Sequence, residues 1–222
     1  MNKVIQAEPY DFSFDPVRTA LIIIDMQRDF LQPGGFGEML GNDVSLLRTA
    51  IAPCKTILDA ARQHRMLVIH TREGHDPNML DCPPSKKSRG NTKTQIGDMG
   101  PMGRILIRGE EGHDIIPELY PVAGEVVLDK PGKGAFFATD LELILRNKDI
   151  NRLIVCGVTT EVCIHTTVRE ANDRGFECVV ASDATGSYFP EFHRVALEMV
   201  KAQGGIFGWV STSDKIVAGL NS

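Results

Sequence analysis

Cys163 is the residue of this chain best placed to do chemistry. It lies in the stretch 153–174, LIVCGVTTEVCIHTTVREANDR. The apolar run 153–156 suits a buried strand, Gly157 breaks it, and 158–160 make a tight corner. A helix is expected over about 161–174, with Cys163 in its first turn. A helix N-terminus offers unpaired N–H groups and about half a positive charge. That setting favours the thiolate, the nucleophilic form, and could hold a developing oxyanion. The plain alternative is a small, inert core thiol. Two more reactive side chains end apolar runs: Asp25 closes 19–25 (TALIIID) and Lys130 closes 125–130 (EVVLDK). Asp, Lys and Cys together suit acyl transfer. Asp25 would take the thiol proton, pass it to a leaving nitrogen, and later activate water. Lys130 would favour the thiolate and orient Asp25. Taken singly, Asp25 could be a turn cap and Lys130 an exposed strand end.

The elements that must position them alternate. Strands are expected at 19–25, 66–70, 125–130, 153–156, 176–182 and 206–210. Helices are expected over about 43–64, where Pro53 implies a kink or split, and at 139–147, 161–174, 190–203 and from 212. Alternation of this kind predicts a three-layer α-β-α fold of the α/β class, Rossmann-like. It has a six-stranded, mostly parallel sheet with helices on both faces. Ligands then bind outside the carboxyl ends of the strands, where Asp25, Lys130 and Cys163 would all stand. Neither GxGxxG nor GxxxxGK[ST] is present, so 26–42 is a loop and not a phosphate cradle. The segment 71–112 has little periodicity, and a loop of that length implies a functional cover or an interface. No repeat or linker divides the chain, so 1–222 is expected to be one domain with a polar arm at 1–17.

Net charge is −5 over 222 residues, and no basic stripe stands out, which argues against nucleic acid as partner. The densest positive run, 86–93 (KKSRGNTK), reads as a solvated loop. No apolar run approaches the ~20 residues of a membrane span, and no signal core opens the chain. Five cysteines at irregular spacing make neither a CxxC pair nor a disulfide framework, so a cytoplasmic location is expected. A redox pairing of Cys156 with Cys163 is disfavoured, because Cys156 falls inside a strand.

The blocks ALIIIDMQRDF, DKPGKGAFFATDL and GVTTEVCIHTTVREANDRGFECVVASDATG resemble the signature blocks of the isochorismatase-like cysteine hydrolases. The resemblance implies Asp25, Lys130 and Cys163 as catalytic triad. It also implies a cis peptide at Val158–Thr159 and an oxyanion hole from the N–H groups of Thr159 and Cys163. In the nicotinamidase branch an Asp and histidines after the second strand bind metal. HTREGHDP at 70–77 departs from that pattern, so His70 is read as a strand-end hydrogen-bonder, His75 as loop, and no metal or cofactor is expected. True isochorismatases lack the nucleophile, and Cys163 argues against that branch. DKPGKGAFFATDLE, TVREANDRGFEC and MVKAQGGIFG look closest to biuret and triuret hydrolases. By that resemblance Phe30 and Gln203 line the substrate, and Tyr188 reaches the far carbamoyl of a longer one. Core packing for Phe30, a polar helix end for Gln203 and local packing for Tyr188 are the plain alternatives. The implied activity is hydrolysis of a linear ureido amide by a homotetramer. Other amidases of the family, acting on ureidoacrylate, N-carbamoylsarcosine or nicotinamide, are the alternative.

Overall fold

In the computed structural model, which describes residues 3–87 and 93–222, the run TALIII forms strand β1 (Thr19–Ile24), with all six residues buried. Leu21 and Ile23 enter one apolar cluster while Ala20, Ile22 and Ile24 enter another. This is the two-residue alternation of a pleated strand, and a strand apolar on both faces needs cover on both. The strands that follow are β2 (Leu67–Glu73), β3 (Val126–Lys130), β4 (Arg152–Val158), β5 (Glu177–Gly186) and β6 (Trp209–Ser211). They pair in the order β6-β5-β4-β1-β2-β3, every pair parallel. The principal helices are α1 (Ile51–Gln63), α2 (Leu141–Asn147), α3 (His165–Asp173), α4 (Pro190–Gly205) and α5 (Ser213–Asn221). α1 and α5 bring Ile57, Leu58, Ile216 and Leu220 onto one face of the sheet. α2, α3 and α4 bring Leu141, Leu145, Val168, Leu197 and Val200 onto the other. Each such aliphatic side chain contributes about 1.5–3 kcal/mol by leaving water. The three-layer expectation holds.

The chain runs β1, β2, β3 towards one edge, then returns to β4 beside β1. The order therefore reverses between β1 and β4, and the crevice of a doubly wound sheet opens at such a reversal. Asp25 leaves β1 there and Cys163 follows β4 there.

Several boundaries differ from the expected ones. β2 runs on to Glu73, three residues past the apolar run, because Thr71, Arg72 and Glu73 find partners instead of water. Arg72 bonds Asp129 across the β2–β3 pair at 2.7 Å, and Glu73 pairs in register with Lys130. β5 runs on to Gly186 past the polar residues Ser182 and Asp183, whose side chains bond Ser211 and Ser213. The expected first helix is split: Ser45–Arg48 is a short turn and α1 begins at Ile51, which places Pro53 in its first turn. From Lys3 on, the N-terminal arm is ordered. Lys3–Ile5 and Phe12–Phe14 pair antiparallel; Ile5, Phe12 and Phe14 are buried, and Lys3–Ile5 packs on α5.

The described residues of segment 71–112 hold little regular structure beyond the end of β2, a helical turn at Pro84–Lys87 and the two-residue strands Met99–Gly100 and Gly103–Arg104. It buries His75, Ile96, Ile105, Leu106 and Ile107. Of the run read as a solvated loop, 88–92 lie outside the described residues, and Lys86 is turned inward. No helix among the described residues is long and apolar enough to cross a membrane.

Candidate active site

Asp25 takes a left-handed backbone (φ 52°), a conformation a short acidic side chain tolerates. Its N–H donates to the Thr71 carbonyl at 3.1 Å, and the Thr71 hydroxyl donates to Oδ1 at 2.7 Å. Lys130 Nζ lies 2.8 Å from Oδ2, with neither side chain exposed. The same ammonium donates to the carbonyls of Gly132 (3.1 Å) and Lys133 (2.8 Å), so its three protons are directed. A buried pair of this kind needs such extra bonds to offset the loss of hydration. Burial opposes the charge on Lys130, but Asp25, Cys163 and Glu73 outweigh it and raise its pKa.

The chain turns from β4 to α3 through Thr160–Ile164, a wide π-helical turn, after a cis peptide at Val158–Thr159. The amides of Val162 and Ile164 both return to the Thr159 carbonyl, at 3.1 and 3.2 Å. Cys163 is 5 % exposed. One donor atom each from Asp25, Glu73 and Cys163 lies within 4.8 Å of the others, so the acid and the sulfur do meet. Burial pushes the thiol well above its ordinary pKa, with Asp25 and Glu73 adding to the effect and Lys130 and Lys133 opposing it. That direction runs against the expectation of an anionic sulfur. Desolvation and two carboxylates favour the neutral thiol against the helix terminus and the lysines.

Sequence reasoning missed Glu73, which accepts the Cys163 thiol at 3.5 Å. Gln27 was missed as well. Its Oε1 accepts the Glu73 N–H at 2.7 Å, and its Nε2 donates to the Glu73 and His113 carbonyls, both at 2.9 Å. One signal was available: a Gln two residues past Asp25 and a Glu three past an apolar strand both stand where strand ends converge.

Of the residues expected at the substrate, two are brought together. Phe30 sits in the turn Arg28–Leu31 after Asp25, half-buried, and its carbonyl accepts the Tyr188 hydroxyl at 2.8 Å. Burial raises the Tyr188 phenol, with Asp29 and Glu161 adding to it, so the hydroxyl keeps its proton. Gln203 is not brought there. α4 starts after the carboxyl end of β5 and returns to the other end of the sheet, where Gly208 packs on Cys178 near the start of β5. Within one chain, the exposed Gln203 cannot line the crevice that holds Cys163.

Asp25, Glu73 and Cys163 are donor types that could hold a metal, but the space between them suits no divalent ion. Lys130 stands 2.8 Å from Asp25 and 3.9 Å from Glu73, and Lys86 and Lys133 occupy the other Glu73 oxygen. His70 Nε2 meets Glu125 at 3.0 Å and His75 Nδ1 meets Asp81 at 3.1 Å, each histidine with its own carboxylate.

A buried acid–amine pair beside a thiol, at the reversal of a doubly wound parallel sheet, defines a cysteine hydrolase type of site. Residues 19–215 match the Isochorismatase domain family, and the chain belongs to that family of hydrolases. It is similar to the solved structure of a cysteine hydrolase from Pseudomonas syringae pv. phaseolicola 1448A, with 27 % identity, 94 % of each chain covered and a TM-score of 0.79. An isochorismatase family protein from Desulfovibrio vulgaris subsp. vulgaris str. Hildenborough is 25 % identical, over 92 % of this chain and 99 % of that one, with a TM-score of 0.76. The N-carbamoylsarcosine amidase of Thermoplasma acidophilum shares the fold at 20 % identity, over 89 % and 97 % of the two chains, with a TM-score of 0.67.

Proposed function

We propose that this protein is a cysteine-dependent amidohydrolase that cleaves a C–N bond of a small linear ureido amide, triuret or biuret. The observation that carries the reading is the fully buried Lys130–Asp25 pair, 2.8 Å apart, with the Asp25 carboxylate within reach of Cys163. Cys163 attacks a terminal carbonyl. Its proton passes to Asp25, the S–C bond forms, and the carbonyl electron pair moves to oxygen, which the N–H groups of Thr159 and Cys163 receive. The pair returns as the C–N bond breaks, and Asp25 gives its proton to the leaving ammonia. A thiocarbamate-type acyl enzyme remains. Water, deprotonated by Asp25, then adds to the acyl carbon; the S–C bond breaks, Asp25 returns its proton to sulfur, and the carboxylated product that leaves can lose carbon dioxide. Lys130, 2.8 Å from Oδ2, keeps the Asp25 carboxyl aimed through these steps.

In this reading a flat diamide stacks on Phe30, and a longer one places its far N–H on the acceptor lone pair of the Tyr188 hydroxyl. Gln203 enters only from a second copy, so its role and the homotetramer stand together. The test is ammonia release from biuret, triuret, ureidoacrylate, N-carbamoylsarcosine and nicotinamide, with Cys163→Ser as control. Turnover of biuret or triuret at least tenfold above the others supports the reading. Activity on nicotinamide alone, abolished by a chelator, removes it; preference for another carbamoyl compound keeps the mechanism and changes the substrate.

A further inference from the structure

Glu73 takes no part in the steps above, yet it is the group that touches the nucleophile. Its Oε2 accepts the Cys163 thiol at 3.5 Å, and the residue is 1 % exposed. The position is built. Parallel pairing places Glu73 opposite Lys130, and the Gln27 amide fixes its peptide on both sides. Three ammonium groups surround the carboxylate: Lys133 at 2.7 Å and Lys86 at 2.8 Å on Oε1, and Lys130 at 3.9 Å near Oε2. Lys86 also donates to the Pro131 carbonyl, which ties the turn Pro84–Lys87 over the site.

The balance of charge says what this arrangement does. The groups facing the sulfur are Asp25 at the end of β1, Glu73 at the end of β2, and Lys130 and Lys133 at and after the end of β3. Lys86 stands behind Glu73. Three cations against two carboxylates leave one positive charge in excess while Cys163 is a thiol, and none once it is a thiolate. The cluster therefore tolerates the thiolate but does not enforce it. Glu73 is stabilised as an anion by three cations, whereas Asp25 is paired with Lys130 alone. Glu73 thus accepts the S–H hydrogen bond without taking the proton, and Asp25 remains the base. Burial opposes the Glu73 charge, but Lys130, Lys133 and Lys86 hold its carboxyl at about 2.

We propose that Glu73 is a positioning residue that keeps Cys163 an aimed, neutral thiol in the resting enzyme and sets the pH at which its sulfur becomes nucleophilic. The inference rests on Cys163 being the nucleophile and not on the identity of the substrate. It also makes the resting sulfur slow to oxidise or alkylate until substrate displaces the S–H···Glu73 contact.

The test is the pH dependence of Cys163 alkylation by iodoacetamide in the full-length protein. The modified peptide is followed by mass spectrometry, because Cys82 is also partly exposed. Glu73→Gln keeps the side chain's size and an acceptor oxygen but removes the charge. Its thiol midpoint is expected to fall by at least one unit, giving about tenfold faster alkylation at a fixed pH below both midpoints. Lys133→Met removes a cation through a half-exposed stem and is expected to move the midpoint upward. Opposite shifts distinguish electrostatic control from loosening of the fold, which would speed alkylation in both variants. A midpoint unmoved in both, or moved the same way in both, overturns the proposal. Alkylation needs no substrate, so expected shifts without turnover of any ureido compound would reject the substrate reading and leave this one standing.

Discussion

Replacing Gly157 by alanine tests whether close approach of β1 and β4 is what brings acid and sulfur together. Gly157 has φ +114°, and an added Cβ would stand 2.1 Å from the Ile24 carbonyl oxygen and 2.6 Å from its nitrogen. Ordinary contact begins at 3.4 Å, so the strands must part by the difference, 1.3 Å. The partner is backbone in the middle of a parallel sheet, with no flexible side chain to give way. The backbone conformation costs an L-residue about 1–2 kcal/mol, and two strained ladder bonds cost about 1 kcal/mol each. The total is about 3–4 kcal/mol, or roughly 10 °C in Tm for a chain of this length. Asp25 follows Ile24 directly, and Cys163 follows Gly157 after the corner, so the same movement separates them by about 1 Å. A misplacement of that size costs on the order of 100-fold in rate. Calorimetry measures the first effect, and ammonia release on the best ureido substrate measures the second. A variant that melts within 3 °C of the parent, roughly 1 kcal/mol, and keeps more than about a tenth of its activity would refute the reasoning.

Other outcomes follow from the same site. Cys163→Ala should abolish ammonia release while costing only about 1 kcal/mol of stability, since one small buried atom is lost; a Tm fall beyond roughly 5 °C would mean that the residue is chiefly structural. The Glu73 carboxyl is lowered from 4.5 to about 2. A depressed carboxyl adds stability that is present above pH 4.5 and lost as pH falls towards 2. Chemical denaturation should therefore show about 3 kcal/mol less stability at pH 2 than at pH 6 from this group. Glu73→Gln should remove that part of the slope. Tyr188→Phe leaves the Phe30 carbonyl without its donor and should cost about 1–2 kcal/mol. If the hydroxyl also accepts from a longer substrate, the triuret-to-biuret ratio of kcat/KM falls severalfold; an unchanged ratio makes Tyr188 a strut for Phe30. Gln203→Ala should raise KM only where a second copy supplies the residue, so an equal rise in a monomeric variant would contradict the path of α4.

The apolar runs and their spacing determined the layers of this protein. TALIIID, EVVLDK and LIVCG can be buried only as strands with both faces covered, and alternation with helices leaves a parallel sheet. The same runs end in Asp25, Lys130 and, one turn further on, Cys163, so the carboxyl end of the sheet had to hold them. What the sequence did not decide depends on neighbours. Thr71, Arg72 and Glu73 are polar and look like loop, yet they continue β2 because Asp25, Asp129 and the lysines satisfy them. Gln203 lies near the site only in a linear reading, because the direction of α4 carries it to the opposite end. The set of charges around Cys163 was beyond reach for the same reason. Propensity and periodicity report what a segment can bury along its own length, whereas the state of a thiol is set by charges from other segments, and only the packed sheet fixes their distances.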